Sequence, residues 1–266
     1  MQWELLTEPR FRQAVSDTGV CVLSIGVLER HGDHLPLGTD YINVHEIARR
    51  ACEIEPAVAF PPFYFGQINE ARCFGGTVSL NPTLLYSLLE NVLDEIGRNG
   101  FGKIVIANGH GGNTALLSYL AQCTLAREKP YTVYLRPLGA MIGERQTRLG
   151  EIVDRSRCGH AGEMEASLVL ANAPEGADMG AVGDAPAKPL ERMMDVPGAF
   201  CGISWYANYP EHYAGDARGA SEAKGKALVP LLAEDLAAFI AAVKADTVAP
   251  ALEREFFERE RDLRGS

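Results

Sequence analysis

The chain has no CxxC pair, no long stretch of Ser, Gly or Pro, no excess of positive charge and no apolar run of membrane-spanning length. Each absence excludes something. The six cysteines, Cys21, Cys52, Cys73, Cys123, Cys158 and Cys201, are scattered over 266 residues, which suits neither a disulfide framework nor a structural zinc site. Most of them read as small core residues; Cys158 stands apart because a histidine follows two positions later. A net charge of −10 repels phosphate backbones and argues against nucleic-acid binding. The apolar runs break well before the ~20 residues that a spanning helix needs. Met1-Gln2-Trp3-Glu4 lacks the basic start and apolar stretch of a secretory signal, so a cytoplasmic location is expected. With no linker and no internal repeat, one domain over 1–266 is expected, ending in a charged tail at about 250–266.

What is present is an alternation of short apolar runs with helical patterns, in a chain that is 47% hydrophobic. Val20 to Ile25, Lys103 to Ala107 and Tyr131 to Arg136 read as buried strands, and Ala57 to Phe65 as an extended segment bent or held at an edge by Pro61-Pro62. Helical spacing covers Ile42 to Ile54, Thr114 to Arg127, Ala161 to Asn172 and Ser221 to Lys244. Asn81-Pro82 supplies a cap and a first-turn proline for a helix ending at Asn99-Gly100. Pro174 to Ala214 reads as loops. Strand and helix in turn predict an α/β fold with a largely parallel sheet, whose ligands bind beyond the carboxyl ends of the strands.

Three polar segments fall at predicted element ends. The first, Glu29-Arg30-His31-Gly32-Asp33-His34-Leu35-Pro36-Leu37-Gly38-Thr39-Asp40, places Glu29 and His31 on one face of a strand end and lets a turn return Asp40 to them. Carboxylates with imidazole suit Zn, Mn or Fe, although read alone the segment is equally an ordinary polar loop. The second, Asn108-Gly109-His110-Gly111-Gly112-Asn113, surrounds a histidine with glycines at a helix start. It permits close approach or unusual dihedrals and favours developing negative charge, or is simply a tight turn. It lacks the Lys-Ser/Thr ending of a nucleotide loop. The third, Cys158-Gly159-His160-Ala161-Gly162-Glu163-Met164-Glu165, offers His160 and, in the first helical turn, Glu163; Glu165 points elsewhere and reads as a surface residue. Together these segments can hold two metal ions with a bridging carboxylate, an arrangement that activates water and polarises a carbonyl.

At these residues the chain resembles the creatininase (creatinine amidohydrolase) family. The likeness rests on all three segments in order and on Phe74-Gly75-Gly76-Thr77-Val78-Ser79-Leu80 ahead of the Asn81-Pro82 helix. It implies a three-layer α/β/α sandwich, a homo-oligomer, often a hexamer, and two divalent metal ions per chain (Zn, Mn or Fe) bridged by Asp40. It further implies that Glu29 and His110 bind one ion, that His31 and Glu163 bind the other, and that His160 is the general acid/base. The expected reaction is hydrolysis of a non-peptide C–N bond in a cyclic amide, an N-formyl group or another small amide. In it the backbone N–H groups of Gly111 and Gly112 would hold the oxyanion.

The departures point to a branch other than creatininase proper. Gly111 and Gly112 stand where that enzyme has a bulky residue and a metal-binding Glu. Arg30, Asp33, Glu70-Ala71 and Ala166 replace commoner residues. Two other readings remain. One is a deformylase of a nucleotide-like or cofactor precursor, with Arg72, Arg136 or Arg157 on a phosphate; the other is a non-catalytic ligand-binding or assembly protein on the same fold. Trp205, Tyr206 and Tyr209 line a pocket, an interface or the monomer core.

Overall fold

The computed structural model describes residues 1–193 and 196–263. In chain order the main elements are α1 (Glu8–Thr18), β1 (Val20–Ile25), α2 (Thr39–Ile54), β2 (Val58–Ala59), α3 (Pro82–Arg98), β3 (Lys103–Asn108), α4 (Asn113–Cys123), β4 (Thr132–Pro137), α5 (Glu144–Ile152), α6 (Glu163–Asn172), α7 (Ser204–Asn208), α8 (Glu222–Ala245) and α9 (Val248–Leu263). The four strands form one sheet in the order β2-β1-β3-β4, parallel throughout.

The central strands β1 and β3 are buried on both faces and are nearly continuous apolar runs, as a parallel sheet between helices requires, while the edge strand β4, with Arg136, is mostly half-buried. Alternation sorts the side chains into two cores. Val20, Val22, Val105 and Ala107 pack with α2, α5, α6 and α8 through Val44, Ile47, Leu149, Leu168, Leu228, Leu232 and Ile240. Cys21, Leu23, Ile25, Ile104 and Ile106 pack with α1, α3 and α4 through Ala14, Leu85, Leu89, Leu93, Ile96, Leu117 and Leu120. These faces make the α/β/α sandwich, and truncating Leu89 or Leu93 to Ala costs about 2–5 kcal/mol.

The expected elements are in place, with several differences. Asn81 caps α3 as expected, its side chain accepting from the N–H groups of Thr83 and Leu84. Of the extended 57–65 segment only Val58–Ala59 is a strand, at the sheet edge where prolines are tolerated. The charged tail is helical as α9, which buries Phe257; its end, Arg264 to Ser266, lies outside the described residues. Only Cys21 and Cys52 are buried, so most cysteines are not core residues as expected; all six are free. No helix among the described residues is long and apolar enough to cross a membrane.

Candidate metal centre

Two neighbouring strand ends carry the site. At the end of β1 a Cβ on Gly26 would lie 2.3 Å from the backbone N of Tyr41. Only glycine therefore lets the start of α2 sit against the strand, and that contact delivers Asp40, in the first turn of α2, to the strand ends. The strand stops at Ile25, so Glu29 and His31 lie in the following loop rather than on a strand face as expected. The loop doubles back, Glu29 N–H donating to Leu37 O at 3.0 Å. At the end of β3 the Asn108 amide braces the next turn. Its Nδ2 donates to His110 O at 2.8 Å, and its Oδ1 accepts from His110 N at 3.2 Å.

Three histidines are oriented by backbone carbonyls. His31 Nδ1 meets Glu29 O at 3.2 Å, His110 Nε2 meets Gln67 O at 2.9 Å, and His160 Nε2 meets Arg30 O at 2.9 Å. A carbonyl oxygen only accepts, so each of those nitrogens carries the proton. The second nitrogen of each ring then faces carboxylate. His110 Nδ1 is 2.8 Å from Glu29 Oε1 and 3.1 Å from Asp40 Oδ2. His31 Nε2 is 3.1 Å from Asp40 Oδ1, 3.7 Å from Glu165 Oε2 and 4.0 Å from Glu29 Oε1. His160 Nδ1 is 3.8 Å from Glu29 Oε1.

Asp40 thus offers one oxygen to His110 and the other to His31. Glu29 Oε1 and Asp40 Oδ2 are buried oxygens whose close polar neighbour is the shared His110 Nδ1, with no other hydrogen-bond partner, a costly state for carboxylates unless a proton or a cation lies between them. Buried carboxylate oxygens, imidazole nitrogens turned toward them, and outer N–H groups held by carbonyls form the donor set of a divalent metal pair, the inner nitrogens giving up their protons when the ions bind. The residues fit that group.

Charge supports the same arrangement. Burial would push His31 down, but the charge and hydrogen bond of Asp40, with Glu165 and Glu29 nearby, raise it to about 9. His110 is raised well above the usual range against the same burial cost, by Glu29 and Asp40. Without a metal, protons take the cation's place between these groups. Glu29 is held well below the carboxylate range: burial opposes this, and His110, His160 and His212 outweigh it. His160 differs: burial and the nearby charge of His31 push it down to about 3, leaving a neutral ring.

Of the expected residues, the structure brings together Glu29, His31, Asp40, His110 and His160. Glu163 is not among them. Its fully buried carboxylate turns away to the Lys224 ammonium and the Asp154 N–H. Glu165 enters instead, accepting from Ala161 N–H at 2.6 Å while Oε2 faces His31; burial raises it to about 7. Glu163 and Glu165 are two positions apart on one helix and point to opposite sides, as expected, but it is Glu165 that points inward. None of Gly109, Gly111 and Gly112 has a left-handed backbone. A Cβ on Gly112 would sit 2.5 Å from His110 Nε2 and 2.9 Å from Gln67 Oε1, so that glycine makes room for protein atoms, while around Gly111 the space is open.

His212 was not anticipated. It lies in the irregular 174–214 region, where no spacing marks it. It is buried, its Nε2 is 2.5 Å from Glu29 Oε2, and its Nδ1 accepts from Trp205 Nε1 at 3.2 Å. Trp205 also packs edge-on to His160 with centroids 5.7 Å apart, so one of the region's aromatics does line the site. Beside Asp40 and Glu165 a cavity of about 180 Å³ opens between Asn43, Asn108, Thr114, Pro137, Met164 and Leu168.

The family model described as creatinine amidohydrolase matches residues 4–240. The creatinine amidohydrolase of Pseudomonas putida is 24% identical over 63% of this chain and 69% of its own length. The mycofactocin precursor peptide peptidase of Mycobacterium ulcerans is 27% identical over 83% of this chain and 84% of its own. A solved mutant creatininase of Zn–Zn type, 21% identical, superposes with a TM-score of 0.79 over 92% of this chain and 98% of that one. The chain belongs to the creatininase family of amidohydrolases, in a branch other than creatininase proper.

Proposed function

We propose that the protein hydrolyses an amide C–N bond at a pair of divalent ions, Zn, Mn or Fe, held by Glu29, His110 and Asp40 on one side and by Asp40, His31 and Glu165 on the other. The observation that carries this reading is the convergence of two buried carboxylate oxygens, Glu29 Oε1 and Asp40 Oδ2, on His110 Nδ1 with no other hydrogen-bond partner. Ions bound there supply Lewis acidity that polarises a carbonyl and lowers the pKa of a water.

The chain's own groups do the rest. His160 is locked by Arg30 O with Nδ1 unprotonated, so it takes the proton released on attack and hands it to the departing nitrogen. The N–H groups of Gly111 and Gly112, ahead of α4, face developing negative charge on the carbonyl oxygen. Trp205, edge-on to His160, keeps water from that side.

The cavity of about 180 Å³ favours a small acyl or amine group: a cyclic amide, an N-formyl group or another small amide. A second reading is a peptide bond of a precursor peptide, favoured by the mycobacterial peptidase, which matches more of this chain than the Pseudomonas enzyme does. Two observations weigh against a phosphate-bearing deformylase substrate. Arg136 is paired with Asp235 and stacked on Phe239, and Arg157 lies between Asp154 and Asp216. The assembled donor set weighs against a non-catalytic role. Assembly as a homo-oligomer, a hexamer by family resemblance, completes the reading.

The test is a panel of lactams, formamides, cyclic ureas and short peptides against protein loaded with Zn, Mn or Fe. Turnover abolished by a chelator and restored by metal is expected; chelator-insensitive turnover, or none with any amide, contradicts the reading.

A further inference from the structure

We infer that His212 is a positioning residue that holds Glu29 to one-oxygen metal binding, and that Trp205 sets the tautomer in which it does so. This rests on the metal reading above and extends it to a segment 183 positions away from Glu29.

The argument follows the protons. The indole N–H of Trp205 can only donate, so His212 Nδ1, 3.2 Å away, is the acceptor. The ring's proton therefore sits on Nε2, which donates to Glu29 Oε2 at 2.5 Å. With both nitrogens engaged, His212 has no lone pair left for a metal, although it lies in one cluster with Glu29 and His160. Its effect falls on Glu29. With Oε2 held, Oε1 is the oxygen left facing His110 Nδ1, and the carboxylate cannot rotate to chelate an ion with both oxygens.

The backbone around His212 is arranged for this contact. His212 has φ +51°, a left-handed conformation uncommon outside glycine. Two hydrogen bonds keep it there: its N–H donates to Tyr209 O at 3.0 Å, and its carbonyl accepts from Gly32 N–H at 3.2 Å, next to His31. Phe74 packs on the ring at 5.6 Å. A strained, buried histidine bridging a covering segment to one oxygen of a metal-facing carboxylate is an outer partner of the ligand, a kind of contact whose loss typically costs 10–100-fold in metal affinity.

The experiment titrates Zn alone, against a competing chelator, into metal-stripped wild type, His212→Ala, His212→Gln and Trp205→Phe, with circular dichroism on each metal-free protein. Glutamine is the decisive variant, because its amide Nε2 can take the histidine Nε2 position and still donate to Glu29. One of the two wild-type sites is expected to weaken about 10–100-fold in H212A and to recover most of its affinity in H212Q. W205F is expected to fall between wild type and H212A, and the His31–Asp40–Glu165 site to stay unchanged. H212A binding both ions like wild type overturns the inference and leaves the metal reading standing. Folded H212Q as weak as H212A also overturns it, because His212 would then be a ligand itself. Wild type that binds no Zn overturns both. If H212A fails to fold, H212Q and W205F still decide, since equal wild-type affinity in W205F with a weakened H212Q contradicts the proton assignment.

Discussion

Glu165 Oε2 lies 3.7 Å from His31 Nε2, while Glu163, two residues earlier on the same helix, is spent on Lys224. Two helical positions are about 200° apart, so only one of the two can face the site. Glu165→Gln should bind one ion tightly rather than two. Glu163→Gln should keep both ions and lose stability instead. It breaks a pair whose carboxylate is fully buried and whose lysine is 34% exposed, so the cost is about 2 kcal/mol, below the ~3–5 of a fully buried pair. That lowers Tm by roughly 4–8 °C. Metal counting and a melting curve on both variants separate the roles; exchange of the two outcomes would restore Glu163 as the ligand.

His160 should act on the reaction and not on the metal. Its Nδ1 is 3.8 Å from Glu29 Oε1 and its ring lies 4.2 Å from that of His31, yet its other nitrogen is tied to Arg30 O. His160→Ala is expected to retain both ions and to lose about 10²–10⁴-fold in kcat on whichever amide the panel identifies. A fully loaded variant turning over at the wild-type rate would remove His160 from the mechanism.

The metal-free protein should lose stability as pH rises from neutral to alkaline. His31 sits near 9 in the fold against about 6.5 unfolded. The folded state therefore binds the extra proton, and its stabilisation is fully present below about 6.5 and lost as pH rises through 9. His110 shifts in the same direction. Glu165, raised to about 7, adds a loss between its unfolded value of about 4.3 and 7. His160 works oppositely: its contribution is present above about 6.5 and is lost as pH falls from there through 3. Tm of chelator-treated protein measured from pH 6 to 10 should fall, and the metal-loaded protein, with ions in place of those protons, should show a flatter profile. A rising Tm for the metal-free protein over that range would contradict the charge arrangement.

Gly112 and Gly111 should respond differently to alanine. Gly112→Ala drives a Cβ into His110 Nε2 and the Gln67 side chain, so the His110–Gln67 bond must shift. About a 10-fold loss of affinity at the His110 site is expected. Gly111→Ala meets open space and should leave metal binding unchanged. Equal affinities in the two variants, read by the same titration, would show that Gly112 has no part in aiming His110.

Most of the sheet was legible because its strands are short, apolar and β-branched, and because Asn81-Pro82 and Asn99-Gly100 mark helix ends chemically. The convergence of Glu29, His31, Asp40, His110 and His160 was legible through family motifs, not through spacing. Spacing placed Glu29 and His31 on a strand that in fact ends at Ile25. The sequence reading points to Glu163 on α6, whereas the structure turns Glu165 toward His31; both fall in the first turn. Which of them faces inward depends on where the helix lies, and tertiary contacts such as Lys224 on α8 fix that. His212 was hidden for a related reason: it comes to Glu29 from an irregular segment held by Tyr209, Trp205 and Gly32, and no local period encodes that path.

The central claim is that Asp40 bridges two ions, with Oδ2 toward His110 and Oδ1 toward His31. Calorimetric titration of Mn or Zn into metal-stripped wild type and Asp40→Asn tests it most directly. The account predicts two ions per wild-type chain and loss of tight binding at both sites in D40N. A wild type that takes up no ion, or a D40N protein that still binds two with unchanged affinity, would contradict it.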